Sequence, residues 1–141
     1  MKMNDKSKAF LEKYLPDALK AEELNDALDS LYDLIDEKGF APPYYEEYND
    51  FGREAQRIYD DLYLSNGQQR CGVEIADIVD ALQNPIKSGP VRVMKNGDTR
   101  QILYGRNASV TVSVRNKRLI QVNPRMGTAF KKAAERKPSN E

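Results

Sequence analysis

The side chains of this chain with the most chemistry to offer are cationic, and they are gathered at one end. Between Lys87 and Arg125 the only carboxylate is Asp98. Arg92, Lys95, Arg100, Arg106, Arg115, Lys117, Arg118 and Arg125 fall on or between segments that alternate with period two, and Tyr104 stands among them. Cations spread along an open sheet face, with an occasional aromatic ring for stacking, suit a nucleic-acid surface. The expected nucleic-acid-binding residues are Arg92, Arg100, Arg106, Arg115, Lys117, Arg118 and Arg125, with RNA favoured over DNA. The competing explanation is plain solvation, because hairpin ends and edge strands carry Lys and Arg to deter aggregation. Solvation alone mixes carboxylates among the cations, and here they are missing.

Cleavage of RNA would need a group to take the 2′-hydroxyl proton, another to protonate the leaving oxygen, and a cation for the developing charge. The chain has no His and one Cys, which removes His-based triads and His-containing zinc sites. A metal-independent ribonuclease would rely on Tyr104, Arg106 and Arg118 as its catalytic set, with Arg100 and Arg125 on neighbouring strands. Binding without catalysis is the preferred expectation, since residues 87–125 hold no Glu to act as a base. Glu46-Glu47 and Asp60-Asp61 offer the oxygen ligands that Mg²⁺ prefers. Adjacent helical residues point about 100° apart and seldom chelate together, so neither a metal nor a cofactor is expected. Cys71 precedes a helix start, where a thiolate is stabilised, but without a His partner it reads as a small, half-buried residue.

The first half has the opposite character. Residues 1–86 carry 9 Lys and Arg against 19 Asp and Glu, whereas residues 87–141 carry 13 against 3. The net charge of zero is therefore a balance of −10 and +10. Such asymmetry points to a polyelectrolyte partner, or to two halves that pack against each other. Asp26, Asp29, Asp33, Asp36 and Glu37 line the polar side of one helix. Solvated, they form an ordinary surface. Used as a phosphate mimic, they would cover the basic segment, or block another protein's basic groove as an inhibitor or immunity-type protein does. Tyr44, Tyr45 and Tyr48 follow two prolines and are the candidate protein-partner residues, because tyrosine brings area and a hydrogen bond at low entropy cost. The alternative is that they pack the prolyl loop over the helices.

The elements that position these groups read as α+β: N-terminal helices, a four-stranded antiparallel meander and a short C-terminal helix. Asn4 or Ser7 caps a first helix, and Pro16 interrupts it or opens the next turn. Leu24, Ala27, Leu28, Leu31, Leu34 and Ile35 set a second helix over about 22–38, which Gly39 ends through a left-handed cap. Asn49 or Asp50 caps a third helix reaching about Leu64, and a fourth runs from about Gly72 to Gln83. After Gly89 come strands over about 90–95, 100–104, 108–115 and 118–123, the first two joined at Asn96-Gly97. Thr128 caps a last basic helix over 129–136. Val110, Val112 and Val114 need a cover, for which the fourth helix is nearest, while Ser109, Thr111 and Ser113 form an open polar floor.

Composition (40% apolar, 31% charged) and 141 residues suit one globular domain, or an acidic helical region at 1–67 and a basic region at 68–141. With no apolar run of membrane length, no signal-type stretch and a single cysteine, a cytoplasmic protein without membrane contact is expected.

The stretch 69–124 supports one resemblance. Arg70-Cys71-Gly72-Val73 at a helix start, Asp80 to Pro85 at its exit, a hairpin, and a last strand ending in Val122-Asn123-Pro124 resemble small toxin domains of bacterial polymorphic toxins and phage elements. Those share the barnase/EndoU/colicin/RelE-like layout of a helix followed by an antiparallel meander. The resemblance implies a toxin, phage or mobile-element setting and an RNA substrate or ligand. Many members place a His ahead of the position of Arg70, where this chain has Gln68 and Gln69, so a His-dependent mechanism does not carry over.

Overall fold

Asparagine opens two of the helices. The Asn4 side chain accepts from the Ser7 amide at 2.8 Å ahead of α1 (Asp5–Tyr14), and Asn49 accepts from the Gly52 amide at 2.7 Å ahead of α3 (Asp50–Ser65). These belong to a computed structural model, which describes residues 1–66 and 73–126. Pro16 opens a 3₁₀ turn over Pro16–Lys20, and α2 spans Leu24–Lys38. Gly39 ends α2, but with φ −93°, so the expected left-handed cap does not form. Its lack of a side chain serves another purpose. A Cβ on Gly52 would lie 2.0 Å from the Gly39 carbonyl oxygen, so the two glycines let the end of α2 touch the start of α3. The fourth helix, α4, spans Ile75–Gln83, with Glu74 and Asp77 forming a capping box.

Five strands form one antiparallel sheet: β1 (Lys87–Ser88), β2 (Arg92–Val93), β3 (Thr99–Tyr104), β4 (Ala108–Ser113) and β5 (Arg118–Pro124). Their order is β1-β3-β4-β5, with β2 also paired to β3. The strand expected over 90–95 forms only as β2 (Arg92–Val93), and β1 is an additional short piece on the same edge of β3, ahead of the expected strand. Pro90 has no amide to donate and Gly89 precedes it, which breaks the ladder between them. The hairpin at Asn96-Gly97 forms as expected, with Gly97 at φ 89° and the Met94 amide donating to the Asp98 carbonyl at 2.8 Å. The C-terminal helix expected at 129–136, together with Gln68, Gln69, Arg70 and Cys71, lies outside the described residues.

The helices and the sheet share a core. Leu11, Leu28, Leu31, Ile35 and Leu62 are fully buried and cluster with Ile102 and Tyr104 of β3. Alternation then decides what else faces the helices: Arg100 pairs with Ser113, Ile102 with Thr111 and Tyr104 with Ser109. This overturns the expected polar floor. Ser109, Thr111 and Ser113 are 0, 0 and 1% exposed because the helix layer sits on them. Two of the three hydroxyls have partners, Thr111 in Tyr32 of α2 and Ser113 in Asp98, and the Ser109 hydroxyl has none among the described residues. The Thr111 hydroxyl donates to the Tyr32 hydroxyl at 2.8 Å, and Tyr32 donates to the Gln121 carbonyl at 3.0 Å. Gln56 of α3 bonds the Asn123 side chain in the same layer.

The opposite face carries the valines. The fourth helix covers it as expected, but only at one end: Val110 is fully buried, Val112 half-buried and Val114 exposed. Contact is closest where a Cβ on Gly105 would lie 2.8 Å from Ala81.

Candidate functional site

Most of the predicted cationic surface is already neutralised inside the protein. Arg92 bonds Asp33 and stands 3.3 Å from Asp36, both on α2. Arg125 makes a two-pronged pair with Asp29 at 2.8 and 3.0 Å and donates to the Gly105 carbonyl. Arg118 bonds Glu46 of the prolyl loop. Arg100 is 0% exposed, bonded to Asp98 at 3.1 Å and donating to the carbonyls of Tyr44 and Tyr45. Arg92, Arg100 and Arg125 therefore do not lie on an open strand face, in contrast to their expected role. They point into the helix layer because they share a face with Ile102 and Tyr104; the acidic side of α2 supplies the counterions of Arg92 and Arg125, and Asp98 that of Arg100. The same contacts bury Asp29 and Asp36, away from the outside surface a phosphate mimic would need, while Asp33 stays half-exposed.

The catalytic set is not brought together. Tyr104 pairs with Ser109 and Arg118 with Ser113, four residues apart on β4 and so roughly 13 Å apart along the strand. Arg106 lies in the β3–β4 turn beyond Tyr104, at the far end from Arg118. The Tyr104 phenol is 7% exposed and pushed up to about 12, by burial first and then by the Asp29 charge, with Arg92 and Arg125 opposing. The Lys87 ammonium lies 4.7 Å and the Arg125 guanidinium 5.5 Å from its ring centroid. Such a phenol stays protonated at neutral pH and is closed to solvent. Among the described residues no group of three or more His, Cys, Asp or Glu could hold a metal ion.

Apart from Arg106, the predicted cations that remain exposed lie at the other end of the sheet. Asp98 organises it. Its carboxylate accepts from the Thr99 amide at 2.9 Å, Ser113 at 2.6 Å, Asn116 at 3.2 Å and Arg100 at 3.1 Å. Burial would raise its pKa, but these bonds outweigh that and hold it below the usual carboxylate value. They tie the β2–β3 hairpin to the β4–β5 turn. Arg100, with Asn96 donating to the Pro43 carbonyl at 3.1 Å, ties both to the prolyl loop. On these three linked loops stand Lys95, Arg115 and Lys117, exposed and, among the described residues, without an ion pair. Tyr44 is 71% exposed beside them.

The tyrosine cluster divides accordingly. Only Tyr44 is open. Tyr45 is half-buried at φ 56° and lends its carbonyl to Arg100. Tyr48 donates to Gln56 at 3.0 Å and accepts from Gln121 at 2.7 Å, and burial raises its pKa. Sequence reasoning missed Asp98 as the organiser of this pole, although its isolation among the cations marked it.

No known protein family, curated protein or solved structure matches the chain. Among the described residues no helix is long and apolar enough to cross a membrane.

Proposed function

We propose that this is a binding protein that meets a single-stranded polyanion, RNA ahead of DNA, at the pole made by the prolyl loop, the β2–β3 hairpin and the β4–β5 turn. The observation that carries the reading is the set of exposed cations Lys95, Arg115 and Lys117, which make no ion pair among the described residues, beside the exposed ring of Tyr44. Cations contact phosphates and a neighbouring ring stacks an unpaired base, which is how single strands are held without a groove for a duplex. Because Asp98 and Arg100 fix the loop backbones, little order has to be gained on binding. The resemblance of 69–124 to small toxin domains is compatible with an RNA partner and a mobile-element setting. A reducing, cytoplasmic location suits a chain with one cysteine. The reading is binding and not cleavage, since Tyr104 and Arg106 lie away from this pole.

Fluorescence anisotropy with a labelled single-stranded oligoribonucleotide tests it. Three phosphate contacts give a slope of log K against log salt near −2, by about 0.7 per contact. Replacing Lys95, Arg115 and Lys117 together with Ala should abolish the slope, and Tyr44→Ala should weaken binding by roughly tenfold or more. Arg106→Ala, at the opposite end, should change neither. Absence of binding at low salt, or full binding by the triple variant, sinks the proposal.

A further inference from the structure

The fourth helix is turned the wrong way for its own composition. Ala81 is fully buried and Asp77 nearly so, while Ile75, Val79 and Leu82 are 80, 41 and 43% exposed. Positions i, i+4 and i+7 share one side of a helix, and an apolar stripe at that spacing is what a helix lays against a core. Here the stripe points away from the molecule and Ile86 extends it, 58% exposed.

Beside α4 the same face of the sheet is bare. Val93 is 75% and Leu119 46% exposed, with half-buried Val112 paired to Leu119. Arg92 points to α2, so Val93 points to the opposite face, the one on which α4 sits. One side of the protein is therefore an apolar ridge next to a carboxylate-free floor, on which Val93 and the Val112–Leu119 pair flank Thr99 and Gln101 of β3.

A ridge and a floor side by side complement themselves about a two-fold axis, because each copy can seat its ridge on the other's floor. We infer that this side is the interface of a homodimer in which α4 of each copy covers Val93, Val112 and Leu119 of the other. The exposed parts of the ridge and floor side chains come to on the order of 600 Å² per copy, the upper end of what a monomer leaves bare and, with a polar rim, close to the ~800 Å² per partner of a stable interface. Charge permits the fit: the floor positions of β2 to β5 carry no carboxylate, so Glu74 and Asp80 on α4 meet no like charge there.

Sedimentation velocity on the full chain, free of nucleic acid and at tens of micromolar, should give about twice the 16.1 kDa chain mass. Val79→Glu on the ridge and Val93→Glu on the floor should each give a folded monomer that still unfolds cooperatively, with a melting temperature that no longer depends on protein concentration as the parent's does, because both side chains are exposed in the single chain. Val79→Lys mixed with Val93→Glu should restore a dimer that neither sample forms alone. A monomeric parent protein overturns the inference. So does a dimer that survives both Glu substitutions, or a mixture that stays monomeric.

Discussion

Arg125 and Asp29, 96 positions apart, meet through two hydrogen bonds of 2.8 and 3.0 Å, each side chain less than a tenth exposed. The pair joins the last residues of the sheet to α2. Lys87 approaches the same carboxylate at 3.0 Å, so Asp29 holds two cations while Arg125 has one carboxylate.

That asymmetry sets an order of damage. Asp29→Asn leaves a buried guanidinium without its countercharge and should cost about 3–5 kcal/mol. Arg125→Met keeps the volume and leaves Asp29 with Lys87, so it should cost clearly less. Urea midpoints of the two variants decide the matter, and equal losses would refute the ordering.

Tyr32 is the second joint between the layers. Tyr32→Phe leaves the Thr111 hydroxyl and the Gln121 carbonyl without their partner, at a cost of about 1–3 kcal/mol. Thr111→Val removes the donor as well. The double variant should lose less than the sum of the single losses, by about 1 kcal/mol. Strict additivity in thermal unfolding would show that this hydrogen bond contributes nothing.

Burial raises the Asp36 carboxyl to about 6, with the Arg100 charge opposing and Glu37 adding to the rise. The groups facing it are Arg92 of β2 and Arg100 of β3, together with Asp33 and Glu37 of its own helix. A folded pKa above the unfolded value means the native state binds more protons than the unfolded chain between about pH 4 and 6. This residue's stabilising contribution is therefore full at or below about pH 4 and is lost as pH rises through about 6. Asp36→Asn, which stays neutral, should gain on the parent protein across that window, by at most about 3 kcal/mol at neutral pH. Denaturant midpoints of both proteins at the two ends of the window test this, and a difference independent of pH would count against it.

Much of the backbone was legible in the sequence. Asn4 and Asn49 announced their helices, Asn96-Gly97 its hairpin, and the 3.6-residue spacing of Leu24 to Ile35 the buried stripe of α2. The site was legible only as composition. Charge counts showed that cations and carboxylates were separated along the chain, but they do not show whether the two sets meet in space. Period-two alternation gave Ser109, Thr111 and Ser113 a shared face without saying which face the helices would take. Hydropathy favours the valine face for the core. The structure takes the other because Ile102 and Tyr104 on β3 share it with the hydroxyls, and because Tyr32 is there to bond Thr111 and Gln56 to bond Asn123 in the same layer. Gly39 was read as a left-handed cap because only its own helix was in view, whereas the constraint comes from Gly52 on the next.

The layer between helices and sheet is lined by serine, threonine, glutamine, asparagine and arginine as much as by hydrocarbon. Hydration of polar groups released on melting lowers the heat-capacity increment that apolar groups raise. The expected consequence is a stability curve less sharply bent than that of an oily interior of the same size, with cold unfolding at a lower temperature.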